Sequence, residues 1–275
     1  MCLHIFSERI NAFPTRVANG VHRYGTTAGR RWYIIFGTLF KGEQPMQRPI
    51  KITLDYISTP ESSVLIEVGN TKVICNITIE HTVPPFMRDT GKGWVTAEYS
   101  MLPRSTKDRT RRESTVGKIT GRTAEIQRLI GRSLRSVIDL TKMPGYTATI
   151  DCDVIEADGG TRTAAITGAA LALQIAFDRY VKKGIFTANP MKELIAAVSV
   201  GIHNNAVTVD LDYNLDSTAQ VDMNVVMTES GKFVEIQGTG EEYAFSSDEL
   251  NLMLLEAQKA IKNIIMIISE YVPKS

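Results

Sequence analysis

Between residues 147 and 181 the chain changes its periodicity once, abruptly. Thr147-Ala148-Thr149-Ile150-Asp151-Cys152-Asp153-Val154 reads as a strand. Thr163 to Val181 is rich in alanine and carries no charged residue before Asp178, which predicts a buried helix. The junction is Glu156-Ala157-Asp158-Gly159-Gly160-Thr161-Arg162, whose two glycines allow a tight turn and close approach of a ligand to the backbone. Two readings fit this turn. In the first, the free N–H groups and positive dipole end of the helix, together with the Arg162 guanidinium, form an anion site. In the second, it is an ordinary strand-to-helix loop with Thr161 or Thr163 as N-cap.

The regions around this unit are also mixed. Ile50–Leu54, Ser63–Val68, Lys72–Ile79 and Gly93–Tyr99 are strand candidates, and Gly69-Asn70 marks a hairpin between the second and third. Arg122 to Leu140 repeats apolar residues at helical spacing, with Arg128, Arg132 and Arg135 on another face. Strands follow at Leu194–Ile202, Ala206–Tyr213, Met223–Met227 and Phe233–Gln237. Ser246-Ser247-Asp248-Glu249 then matches a capping box ahead of a long amphipathic C-terminal helix. Hairpin-like strand pairs with helices collected after strand groups predict an α+β fold rather than a doubly wound sheet.

Charge is distributed unevenly. The net charge is +1, yet residues 104–135 hold ten basic groups against three acids, and residues 1–45 hold six against two. A basic belt on an otherwise acidic body predicts a polyanionic partner. Residues 1–45 have no sustained period, which leaves three readings: a disordered basic tail, a targeting sequence, or translated sequence upstream of a start at Met46. The expected working domain is 46–275. Cys2, Cys75 and Cys152 are odd in number and widely spaced, so unpaired thiols in a reducing compartment are expected, with Cys75 and Cys152 in the core. No apolar run approaches the roughly 20 residues that span a bilayer, so no membrane partner is expected.

Asp210, Asp212, Asp216 and Asp222 fall close together, and strand alternation would put the first two on one face. Such a cluster near an anion-binding turn suits a hard cation completed by phosphate oxygens; a solvated acidic loop is the competing reading. His4, His22, His81 and His203 lack Ser or Cys partners at motif spacing and read as surface or turn residues. GxSxG, Walker A and HExxH sequences do not occur.

Taken together, Gly93–Tyr99, Gly121-Arg122-Thr123-Ala124-Glu125-Ile126-Gln127-Arg128-Leu129-Ile130-Gly131-Arg132, Asp151–Val154, Ala157–Ala164, Asp222–Met227 and Glu235–Thr239 resemble the bacterial ribonuclease PH family. The resemblance runs from about Arg48 to the C-terminal helix. It implies duplicated β-α units of the ribosomal-protein-S5-domain-2 type, with mixed sheets. It also implies a phosphate-dependent 3′→5′ exoribonuclease that trims tRNA precursors and releases nucleoside diphosphates, a reaction that reverses to nucleotide addition. By motif match, Arg122, Gly160, Thr161 and Arg162 would bind inorganic phosphate, the co-substrate. Asp216 and Asp222 would be the catalytic, metal-binding pair for Mg²⁺ or Mn²⁺. Arg104, Arg109 and Arg112 would engage tRNA near a ring interface in a homohexamer, a trimer of dimers. The implied location is the cytoplasm, or an organelle if residues 1–45 target it. Some relatives are non-catalytic RNA-binding subunits of exosome-like rings, and this is the competing function. Two stretches depart from the family pattern. Phe40–Pro45 replaces a short Arg/Gly-containing motif, and Leu215 stands where an acid is usual.

Overall fold

The computed structural model describes residues 22–27, 30–35, 38–42, 47–241 and 244–273, the first three segments by backbone alone. The elements are β1 (His22–Thr27), β2 (Arg30–Ile35), β3 (Thr38–Gly42), β4 (Ile50–Leu54), β5 (Ser62–Val68), β6 (Thr71–Glu80) and β7 (Trp94–Met101). They continue with α1 (Glu113–Val116), α2 (Gly121–Ser136), β8 (Thr147–Glu156), α3 (Thr161–Lys182), β9 (Ile195–His203) and β10 (Ala206–Val209). The chain closes with α4 (Tyr213–Asp216), β11 (Val221–Thr228), β12 (Phe233–Gly240) and α5 (Ser247–Ser269). The predicted α+β class holds. One five-stranded sheet runs β4-β5-β6-β8-β7, with only β7 and β8 parallel, and a four-stranded antiparallel sheet runs β10-β9-β11-β12. Within the N-terminal segment, β1, β2 and β3 pair as an antiparallel meander, which the lack of sequence period did not reveal. Residues 1–21 lie outside the described residues, so the reading of the whole extension does too.

The alanine-rich helix occupies the middle of the molecule. α3 packs on β5 and β6 of one sheet and on β9 of the other, and 16 of its 22 residues are buried. Its small side chains are what permit this double contact: a Cβ added at Gly168 would lie 2.7 Å from Ile66 Cγ2 and 2.9 Å from Cys75 Sγ. Gly168→Ala is therefore expected to overpack the core and cost about 1–3 kcal/mol, read as a lower thermal midpoint with unchanged phosphate affinity. β9, buried from Ile195 to Ile202, shows the continuous apolar run of a central strand rather than alternation. α2 lays Ile126, Leu129, Ile130 and Leu134 into the core, and α5 covers β9, β10 and β11. The predicted capping box opens α5, with Glu249 N–H donating to Ser246 Oγ and Ser246 N–H donating to Glu249 Oε2. Cys75 and Cys152 are buried free thiols as expected. Although they are distant in sequence, the β6–β8 register sets them opposite one another with their sulfurs 3.8 Å apart. Among the described residues no helix is long and apolar enough to cross a membrane.

Candidate active site

The glycine turn is fixed from beneath before any ligand arrives. Gly159 and Gly160 have φ of +72° and +64°, a region that glycine enters without strain. Space imposes a second requirement, because a Cβ on Gly159 would lie 2.4 Å from the Leu211 carbonyl oxygen. The second half of the chain thus presses its backbone directly onto the turn. Thr71 Oγ1 donates to the Gly159 carbonyl at 2.6 Å and accepts from Asp158 N–H at 2.9 Å, while Asn70 Nδ2 donates to Asp158 Oδ2 at 3.0 Å.

This geometry removes the reading in which Thr161 or Thr163 caps the helix. The N-cap of α3 is Gly160, and no side chain caps the helix. Thr161 Oγ1 accepts from the buried Tyr99 hydroxyl at 2.9 Å, and Thr163 Oγ1 donates back to the Gly160 carbonyl at 2.8 Å. Neither threonine acts as the cap of an ordinary loop. The helix start therefore opens into a cleft of about 770 Å³ lined by Gly160, Thr161, Arg162, Arg122, Asp216 and Asp222, together with Glu125, Tyr213 and Gln237. Arg122 stands in the first turn of α2 and Arg162 in the first turn of α3. Arg162 donates to Gln237 Oε1 at 3.3 Å, and Gln237 Nε2 donates to Glu125 Oε1 at 2.6 Å, a chain that aims the guanidinium.

The four-aspartate cluster is not assembled as alternation predicts. β10 ends at Val209, because Asp210 takes φ +60° and turns the chain out of the strand. Asp210 instead accepts from Arg48: Nη2 at 2.7 Å, Nε at 3.0 Å and the backbone N–H at 2.8 Å. Asp212 is the N-cap of α4 and accepts from Leu215 N–H at 2.9 Å. Only Asp216, on α4, and Asp222, on β11, reach the cleft. Burial pushes the Asp222 carboxyl up to about 6, with the Asp216 charge adding to the rise and Arg162 and Arg122 opposing it. Burial likewise raises Asp216 against the pull of Arg122 and Arg162.

Asp222 Oδ1 is buried and has no hydrogen-bond partner. An orphaned carboxylate oxygen beside a second carboxylate, facing a cleft whose wall carries the Arg122 and Arg162 guanidinium groups, fits a divalent cation that completes its shell with other oxygen ligands. Among the described residues no three His, Cys, Asp or Glu side chains form a closed metal cage.

Two family models match the chain: the 3′ exoribonuclease family, domain 1, over residues 46–177, and domain 2 of the same family over residues 193–260. Ribonuclease PH of Bacillus subtilis (strain 168) is 60% identical over 219 residues, covering 79% of this chain and 89% of that protein. Ribonuclease PH of Bacillus cereus (strain G9842) is 57% identical over 224 residues, 81% of this chain and 91% of its own. The chain belongs to the ribonuclease PH family. Solved structures share the fold at low identity. Rrp46 of rice (Oryza sativa) has a TM-score of 0.68 at 17% identity, covering 84% of this chain and 98% of that one. The Archaeoglobus fulgidus exosome with RNA bound to the active site has a TM-score of 0.69 at 18% identity, covering 82% and 89%.

The belt arginines Arg104, Arg109 and Arg112 are exposed on the segment between β7 and α2, which lends Thr106 and Thr110 to the cleft wall. The three arginines thus border the cleft and do not line it. The segment has structure of its own. It contains α1, Ser105 is buried, and Glu113 Oε1 accepts from Thr123 Oγ1 at 2.7 Å and from Thr120 N–H at 3.0 Å.

Sequence reasoning missed Arg48 as part of this site. Beyond its bonds to Asp210, Arg48 Nη1 donates to the Asp158 carbonyl at 2.5 Å, so one side chain ties the glycine turn to the loop that leads to Asp216. Its partner lies 162 positions away, and no local pattern signals such a pair. With side chains only 15% and 5% exposed, the pair is nearly buried. Asp210→Ala is expected to destabilise the fold by about 3 kcal/mol, because it leaves a buried guanidinium short of a counter-charge; urea denaturation at neutral pH measures this.

Proposed function

We propose that the cleft performs phosphorolysis of RNA 3′ ends, with inorganic phosphate held by Arg122, Gly160, Thr161 and Arg162 and the scissile phosphodiester held beside Asp216 and Asp222. The observation that carries this reading is that one cleft brings together an uncapped helix start, two guanidinium groups and a carboxylate pair with an orphaned oxygen. An anion site alone would serve binding. An anion site facing a metal-binding carboxylate pair serves transfer between two phosphates. These features together count against a purely RNA-binding ring subunit.

Family membership makes the chain a phosphate-dependent 3′→5′ exoribonuclease acting on tRNA 3′ ends. In the reading proposed for its residues, the N–H groups at the start of α3 and the forks of Arg122 and Arg162 orient the phosphate and balance its charge. One phosphate oxygen bonds to the phosphorus of the terminal linkage, and the bond from that phosphorus to the preceding 3′ oxygen breaks. The proton brought by the phosphate passes to the departing 3′ oxygen, giving a shortened RNA and a nucleoside diphosphate. Mg²⁺ or Mn²⁺, held by Asp216 and Asp222, would supply charge stabilisation for the phosphoryl oxygens and the leaving oxygen. Tyr99, through Thr161, and Glu125, through Gln237 and Arg162, hold the phosphate-binding groups in position.

Residues 46–275 form the working domain of this reading, and 1–45 stand outside it. The exposed Arg104, Arg109 and Arg112 engage the body of the tRNA precursor. A homohexameric trimer of dimers, located in the cytoplasm, completes the proposal; the free buried thiols of Cys75 and Cys152 suit a reducing setting. A tRNA precursor carrying extra 3′ nucleotides tests it. Stepwise shortening with Mg²⁺ and phosphate, and none when phosphate is omitted, is expected; RNA binding without shortening under either condition would favour the non-catalytic ring subunit.

A further inference from the structure

Tyr213 is a large side chain, 63% exposed, and it stands in the wall of the cleft. It opens α4, and Asp216 follows three positions later, so the two side chains leave the same face of that turn. The turn is anchored on both sides. Tyr213 N–H donates to Asp158 Oδ1 at 3.4 Å, and Asp212 caps the helix through Leu215 N–H. The backbone that carries the ring is thereby tied to the glycine turn, and the exposed ring stands in the wall of the cleft that Asp216 and Asp222 also line.

We infer that Tyr213 is a stacking platform for a nucleobase next to the scissile phosphate. A base is joined through one ribose to its phosphate, and Tyr213 lies one helical turn from Asp216, so a phosphate at the aspartate pair brings a flanking base within reach of the ring. Stacking accepts all four bases because each presents a π-face. An enzyme that removes nucleotides one after another from an RNA end needs this tolerance at the reacting position. The inference rests on the phosphorolytic reading of the cleft and adds to it how the end of the chain is gripped.

The test compares wild type, Tyr213→Ala and Tyr213→Phe on RNAs with an unpaired 3′ end. The bases are intact, or the last or next-to-last ribose is abasic. Tyr213→Ala is expected to raise KM for intact RNA about tenfold, with KM for phosphate unchanged, while Tyr213→Phe stays near wild type. Wild type should lose the same factor on one of the abasic RNAs, and there Tyr213→Ala should match it. The position at which they match identifies the stacked base. The inference is overturned if the tyrosine and abasic changes act independently at both positions. It is also overturned if Tyr213→Phe is as impaired as Tyr213→Ala, or if KM for phosphate rises in step with that for RNA. RNA binding measured without phosphate carries the same comparison, so failure of wild type to release diphosphates would count against phosphorolysis alone.

Discussion

Asp222→Asn is expected to reduce metal-dependent turnover about a thousandfold and, at pH 7, to make the metal-free protein more stable than wild type. Both effects come from one fact, a buried carboxylate whose Oδ1 has no partner. The unfolded chain loses this proton near the ordinary value of 3.8, whereas the folded, metal-free protein keeps it up to about 6. Between these limits the folded state binds more protons than the unfolded state, so stability falls as pH rises from about 4 through 6, and the cost is complete above 6. At pH 7 it amounts to about 3 kcal/mol, which asparagine removes while keeping the shape. Differential scanning calorimetry in chelator should show the variant melting roughly 5 °C higher at pH 7, with the gap closing by pH 4. Metal binding competes with the same proton, so wild-type turnover should decline as pH falls through 6. A variant that keeps full activity, or melts lower than wild type at pH 7, would refute the assignment.

Arg162→Ala is expected to raise KM for phosphate and lower kcat/KM about 10²–10³-fold, the range for removing one preorganised donor from a developing anion. Arg162 stands in the first turn of α3, where the helix dipole and its own guanidinium would act on the same anion, and Gln237 accepts from the fork. Arg162→Lys should recover only part of the loss, since a point charge cannot reproduce a two-pronged contact. RNA affinity in the absence of phosphate should remain near wild type. Steady-state kinetics at varied phosphate separate the outcomes: an unchanged phosphate KM in Arg162→Ala would remove Arg162 from the phosphate site.

The elements that the sequence revealed are those with local causes. The period of α2, the Gly69-Asn70 hairpin and the Ser246–Glu249 capping box depend on residues a few positions apart, and all three form as expected. The glycine turn was legible as a turn, but that neither threonine caps α3 depends on contacts such as the one from Tyr99, 62 positions away, to Thr161. Asp210 misled because Val207 to Tyr213 alternates like a strand, while its carboxylate bonds with Arg48 favour a left-handed backbone that ends β10 early. Arg48, Gln237 and Glu125 could not be read as site residues, since their partners come from other elements. Asp216 and Asp222 line the cleft, and spacing alone could not separate them from Asp210 and Asp212, which are equally acidic and bond within the fold instead.

In the proposed reaction free phosphate, bound at the α3 turn, is the attacking group. Incubating the protein with Mg²⁺, a 3′-extended tRNA precursor and radiolabelled inorganic phosphate tests it directly. One labelled nucleoside diphosphate is expected for each nucleotide removed, with all label in the β-phosphate, and loss of that product in Arg162→Ala. Release of unlabelled nucleoside monophosphates, at a rate that does not depend on phosphate, would contradict it.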